Sequence, residues 1–226
     1  MAVTCTLSNH YKYSKCKKLI DLSADTIKVC LMRSGFVFDN DVHAKKINFK
    51  NSSGVIANLS FDNTANTLTR GAGSFVTDGF VVGMRITTNS ANGPNQGPFK
   101  ISNVTALVLT VTTMVGGDPA LTTGAEVNIT VTGDDELASG AGYTQDTKTL
   151  AGASTVEDNV NDRAETTYNN LIWTATAGSI GPSPGALVYD DTSADDTIIG
   201  YIDFGGEQTA PDGADFTISN LKIREN

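Results

Sequence analysis

Between Gly54 and Thr132 the chain keeps to one texture: a short run of β-branched and apolar residues, then a cluster of Gly, Asn, Asp or Pro, at intervals near ten residues. Runs this brief cannot form helices that bury a face, but strands of about five or six residues joined by tight turns can. Val55–Phe61, Thr67–Arg70, Phe80–Thr88, Phe99–Thr105, Leu107–Thr113 and Glu126–Thr132 predict six strands. Asp62-Asn63, Asn89–Gly97 and Gly116-Gly117-Asp118-Pro119 carry the turn chemistry between them. A segment of this length suits a small barrel or sandwich that closes its own edges.

The flanking segments read differently. Tyr11, Tyr13, Cys16, Leu19 and Ile20 recur at helical spacing behind Ser8 or Asn9 as a cap, which predicts one short amphipathic helix. Thr26 to Met32 alternates, with Ile27, Val29 and Leu31 on one face and Lys28, Cys30 and Met32 on the other, a strand pattern. Gly35 to Asp41 follows as an aromatic-bearing loop. Longer strands are expected at Arg163–Thr176, Ala186–Tyr189, Thr197–Phe204 and Asp215–Ile223, with a bulge marked by Gly200. The prolines of Ile180–Gly185 argue against a central strand and for an extended connection. A lone helix and strand cannot bury a core, so residues 1–53 need residues 133–226. The expected fold is therefore all-β. A discontinuous, β-sandwich-like outer domain (1–53 and 133–226) carries one short N-terminal helix and is interrupted by an inserted small β-barrel or sandwich domain (54–132), a projecting knob.

Charge narrows the partners. Among 226 residues, 25 are acidic and 16 basic, a net charge of −9, so the chain as a whole repels a polyanion and no direct nucleic-acid grip is expected. Residues 1–50 go the other way. Lys12, Lys15, Lys17, Lys18, Lys28, Arg33, Lys45, Lys46 and Lys50 face only Asp21, Asp25, Asp39 and Asp41, giving +5 there and −14 elsewhere. A basic end on an acidic body is a candidate docking surface. Cys5, Cys16 and Cys30 are odd in number and crowded at one end, so they read as small buried reduced thiols and not as a disulfide framework. No window approaches the roughly eighteen apolar residues of a membrane span, and the first residues lack the apolar core of a secretion signal. A soluble protein without membrane contact is expected.

Residue patterns that carry chemistry are few. His10 and His43 stand in no nucleophile pattern, and the cysteine spacing is not that of a zinc site. Gly71-Ala72-Gly73 and Gly140-Ala141-Gly142 begin like dinucleotide fingerprints, but the sixth positions are Val76 and Gln145, so both read as flexible turns. In Gly93–Lys100 two prolines remove the amides that would cradle a phosphate, which leaves a long hairpin connection. Asp134-Asp135-Glu136, Asp190-Asp191 and Asp195-Asp196 offer a calcium cage or an acid pair, yet none has the spacing of an EF-hand loop, and acidic turn tips are the simpler reading. The expectation is a protein that is not an enzyme and holds no cofactor or metal.

Leu19-Ile20-Asp21-Leu22 running into Asp25–Val29, Gly35–Asp39, Asp135–Thr144, Asp162-Arg163-Ala164-Glu165, Trp173-Thr174-Ala175, Gly178–Pro182 and Tyr189-Asp190-Asp191 resemble, in this order, a widespread family of tailed-bacteriophage virion structural proteins. The resemblance covers nearly all of residues 7–53 and 133–223. In relatives of that kind the loop equivalent to Phe38–Lys50 passes almost directly into the equivalent of Asp134-Glu136-Leu137, which makes the middle segment an insertion. That segment (Phe61-Asp62, Thr67–Arg70, Gly73-Ser74-Phe75, Asp78-Gly79-Phe80, Val82–Ile86, and Phe99-Lys100-Ile101 to Leu109-Thr110-Val111) is similar to small β modules of phage head and tail proteins.

The resemblance implies a virion component made in the cytoplasm of a bacterial host, foremost a capsid decoration (cement or auxiliary) protein. Its partners would be the major capsid protein or other virion proteins, docked through Lys12, Lys15, Lys17 and Lys18. By analogy with threefold decoration sites, a homo-oligomer is expected, with a trimer favoured. An alternative virion role is a tail, neck or fibre-attachment protein. A reading of another class is a carbohydrate-binding module, with Trp173, Tyr143, Tyr189 or Tyr201 stacking on sugar rings, although Leu171–Thr174 has the pattern of core packing.

Overall fold

The computed structural model describes residues 3–40, 43–44, 46, 53–114, 116–133, 135–194 and 196–225. Of the residues discussed above, Asp41, Lys45, Lys50, Asp134 and Asp195 lie outside this set. The fold is all-β and sandwich-like. Two compact units are present: unit 1 is Met1–Lys46 with Glu136–Asn226, and unit 2 is Ile47–Asp135. Ser53 already belongs to unit 2, because its N–H donates to the Val131 carbonyl at 2.9 Å.

The first segment of unit 1 carries β1 (Val3–Leu7), α1 (Asn9–Cys16) and β2 (Ile27–Leu31). Unit 2 holds β3 (Ile56–Asp62), β4 (Thr67–Arg70), β5 (Arg85–Thr88), α2 (Gly93–Gln96), β6 (Phe99–Val104), β7 (Val108–Thr112), β8 (Gly124–Ile129) and β9 (Val131–Gly133). The returning segment of unit 1 adds β10 (Lys148–Thr149), β11 (Ser154–Asp158), β12 (Arg163–Thr167), β13 (Leu171–Thr174), β14 (Ile180–Asp190), β15 (Thr197–Ala210), β16 (Asp215–Ile218) and β17 (Leu221–Glu225).

In unit 1 an eight-stranded sheet runs β10-β2-β14-β15-β1-β17-β12-β11. Neighbours are antiparallel except β1 and β17, which are parallel. A second, two-stranded layer pairs β13 with β16, Trp173 opposite Phe216. Leu171 and Trp173 are buried while Ile172 and Thr174 are exposed, the period-two pattern of a strand with one face on a core. Ile27, Val29, Leu31, Ile199, Ile202, Leu221 and Ile223 from the large sheet share that core with Trp173, Phe216 and Ile218.

Of the expected strands of unit 1, Arg163–Thr176 is divided into β12 and β13 and Asp215–Ile223 into β16 and β17, and three further expectations need correction. Helix α1 is only eight residues long, capped by the Ser8 hydroxyl, which accepts from the Tyr11 N–H at 3.3 Å. Its buried residues are Tyr11 and Ser14, and Tyr13, Cys16 and Leu19 face solvent. The helix stops because Lys18 adopts φ +57°, which carries Leu19 and Ile20 off the helical period. Second, Ile180–Gly185 is strand and not a connection. Within β14, only Ala186–Asp190 pairs with β2, so the proline-bearing half of β14 is bonded on one side, to β15, and a missing amide is tolerated there. Third, the bulge in β15 falls on Ile199, between Ile198 (opposite Tyr189) and Gly200 (opposite Val188). Gly200 serves a different need: a Cβ there would sit 2.4 Å from the Thr6 carbonyl oxygen and 2.5 Å from Cys5 Sγ, so only glycine lets β1 approach.

Unit 2 is a seven-stranded antiparallel sheet in the order β8-β3-β4-β7-β6-β5-β9. Its two outermost strands are consecutive in sequence, separated by Thr130 alone. One stretch thus pairs with β3 through its first half and with β5 through its second, and the sheet closes into a barrel without a free edge. Leu59, Phe61, Leu68, Ile86, Ile101, Leu109, Val111 and Val131 fill the inside. Strand β5 starts at Arg85, not Phe80, because Gly79 and Gly83 at φ +85° and +90° turn the chain while Phe80 enters the core edge-on to Phe75 at 5.7 Å. Buried Arg70 fixes that connection through Asp78 at 2.5 Å and the Ala72 carbonyl at 2.6 Å. The β5–β6 hairpin connection contains α2, tied down where the Asn95 amide donates to the Thr122 carbonyl and the Glu126 carboxylate.

Candidate docking site

Three residues apart on α1, Lys12 and Lys15 share a helix face. They line a groove of about 550 Å³ whose other walls are β1 and the adjacent parts of β12 and β17, which contribute Arg163, Arg224 and Glu225. The Tyr11 hydroxyl donates to Glu225, and Lys15 Nζ lies 3.6 Å from the same carboxylate, so this acid orients the helix over the sheet. Below the rim, Glu165 accepts from Lys222 Nζ at 2.5 Å and Arg224 Nε at 2.9 Å, while Arg163 Nη2 is 2.9 Å from Asp158 and 3.7 Å from Glu165. Four basic side chains thus converge on one groove of a chain whose net charge is −9. Arg163 and Arg224 were invisible to the charge-run reading, because they sit in the acidic part of the sequence and reach the groove only through the β17–β12 pairing.

Hydrogen bonds from Lys222 and Arg224 hold the Glu165 carboxyl below the usual carboxylate range. A depressed carboxyl pKa contributes stability above its unfolded value and loses it as pH falls through the folded one. Glu165→Gln is therefore expected to be less stable than the parent at neutral pH, with a deficit that shrinks on acidification below about pH 4, as read by urea unfolding across pH.

The other basic residues of the N-terminal stretch divide. Lys17 and Lys18 are exposed beyond the helix end and do not line the groove. Lys28 pairs with Asp191 at 2.7 Å, and Lys46 is buried. Of the cysteines, Cys5 and Cys30 are buried, but Cys16 is exposed at the groove, because α1 turns it outward. His43 is buried between Phe36 and Phe38, its Nδ1 accepting from the Asp39 N–H at 2.9 Å.

The acidic clusters are not solvated turn tips throughout. Asp135 is buried and accepts from the Arg85 N–H at 2.9 Å, and Glu136 is buried as well. Asp190 is buried too, which pushes its carboxyl above the usual range. Among the described residues no group of three or more His, Cys, Asp or Glu side chains is placed to hold a metal ion, and no helix is long and apolar enough to cross a membrane. Trp173, Tyr143, Tyr189 and Tyr201 are 4%, 2%, 1% and 7% exposed, so none offers a ring face for a sugar to stack on. Comparison with protein-family models, curated proteins and solved structures found no match to this chain.

Proposed function

We propose that the chain is a structural protein of a bacteriophage virion that decorates the outside of the capsid and ties neighbouring capsomers together. The family resemblance of residues 7–53 and 133–223 supports the virion setting. The observation that carries the docking surface is the groove where Lys12, Lys15, Arg163 and Arg224 meet on an otherwise acidic chain. An acidic patch of the major capsid protein is the complementary partner, and its attraction sets orientation and encounter rate more than raw affinity. Adhesion of this kind needs no bond made or broken between protein and partner.

The assembly proposed with it is a homotrimer. Strand β11 ends the large sheet, with Ser154–Glu157 exposed and Val156 among them, and a closed ring of copies would cover such an edge. Particles lacking the protein are expected to rupture at lower temperature and under milder osmotic shock than complete ones. Equal resistance of the two would rule out the cementing role.

A further inference from the structure

We propose that Lys46 and Asp146 condense into an intramolecular amide, with Glu136 moving the protons. The Lys46 side chain is 5% exposed, and its Nζ is in direct contact with Asp146 Oδ1 and 3.3 Å from Glu136 Oε2. Glu136 is itself 1% exposed. Its Oε1 accepts from the Tyr143 hydroxyl at 2.9 Å and from the Asp146 N–H at 3.2 Å, so the proton carrier and the carboxyl to be attacked are held together. The Tyr189 ring covers Lys46 Nζ at 4.6 Å, and both tyrosines are buried. The backbone is equally fixed: the Lys46 N–H donates to the Asp196 carbonyl at 2.8 Å, and Arg33 Nε donates to the Glu136 carbonyl at 3.0 Å.

A buried amine held between the buried Glu136 carboxylate and the Asp146 carboxylate, whose side chain is 39% exposed, is costly as a plain ion pair, because Lys46 and Glu136 have lost their water. Condensation removes two of those charges and needs no oxidant, metal or co-reactant, since an ammonium plus a carboxylate equals an amide plus one water. In solution water drives the reverse reaction; a pair held in contact, with the amine and its proton carrier buried, favours the forward one. Glu136 takes a proton from the Lys46 ammonium and passes it to the Asp146 carboxylate. The freed amine attacks Asp146 Cγ, forming the C–N bond. Glu136 then takes a second proton from that nitrogen and gives it to the departing hydroxyl as the Cγ–O bond breaks. Water leaves, and Glu136 is a carboxylate again.

The bond would join the two chain segments of unit 1. Lys46 is the last residue of the first segment and Glu136 the first of the second, so the cross-link closes a covalent loop containing all of unit 2. Like a disulfide it would restrict the unfolded chain, but reducing agents would not open it. The inference is independent of the virion reading, because it concerns each copy alone.

Intact-mass measurement of the purified, denatured full-length protein decides the matter. The expected mass is lower than the sequence requires by one water, and fragmentation of a digest should yield one branched peptide joining Lys46 to Asp146. Lys46→Arg and Glu136→Gln should each have their full sequence mass. An unmodified wild-type mass overturns the proposal. So does a water loss that fragmentation places at Asp78-Gly79 or Asp212-Gly213, where a cyclic imide would form instead. Complete cross-linking in Glu136→Gln would overturn the role given to Glu136. If the variants fail to fold, the wild-type mass and its branched peptide still give the answer.

Discussion

Replacing Lys12 and Lys15 together by Glu is expected to weaken attachment to undecorated capsids roughly thirtyfold, a loss of about 2 kcal/mol. Each reversal exchanges an exposed attraction for a repulsion, worth about 1 kcal/mol apiece at these partly solvated positions. The two charges lie well within one Debye length, about 8 Å at physiological salt, of any surface that fills the groove. Wild-type binding should weaken as salt is added, whereas binding of the double variant should weaken less or recover. Reversing Lys17 and Lys18 is the matched control, with the same change in net charge outside the groove and a smaller expected loss. Equal losses for the two pairs would mean that net charge, and not the groove, governs attachment. Because Lys15 neighbours Glu225, the double variant needs a thermal melt to show that the helix still docks.

The second large effect concerns the core of unit 1. Trp173→Ala should cost about 3–5 kcal/mol, a large share of the stability of an ordinary domain. The indole packs against Tyr143 at 5.9 Å and Phe216 at 6.2 Å, with Lys148 Nζ 5.2 Å from the ring. Among the described residues its N–H meets no hydrogen-bond partner, so Trp173→Phe loses volume but also removes a buried unsatisfied donor, and a change within about 1 kcal/mol is expected. A sugar-stacking tryptophan would behave in the opposite way: alanine would leave the unfolding midpoint unchanged and remove binding to glycans. Urea unfolding of the three proteins separates the two cases.

The residues differ in how far local pattern reveals their place. Most strands of unit 2 were legible because they alternate and are bounded by turn chemistry, so β4 and β6 fall within a residue of their expected ends, while β5 begins five residues late and the expected run Glu126–Thr132 is divided between β8 and β9. The closing of the barrel was not legible. It depends on one stretch, Gly124–Gly133, pairing at both ends with strands distant in sequence. Strand β11 carries no apolar alternation strong enough to announce it; β1 does alternate, Val3, Cys5 and Leu7 against Thr4 and Thr6, a pattern the sequence reading missed, and its place in the sheet comes from β15 and β17, which flank it. The same holds for the sites. Lys12 and Lys15 were visible as a charge run, but Arg163 and Arg224 join them only through sheet pairing. Lys46 had the same signature as the other lysines of residues 1–50. Only the meeting of its segment with Glu136 and Asp146 distinguishes it.

Where the chain sits in its particle is the most direct question. Cryo-electron microscopy of purified phage with the protein labelled should show it on the outer shell at capsomer junctions, in copies that scale with the number of capsomers. Its absence from mature phage, or a single ring confined to the tail or neck, would contradict a decorating role.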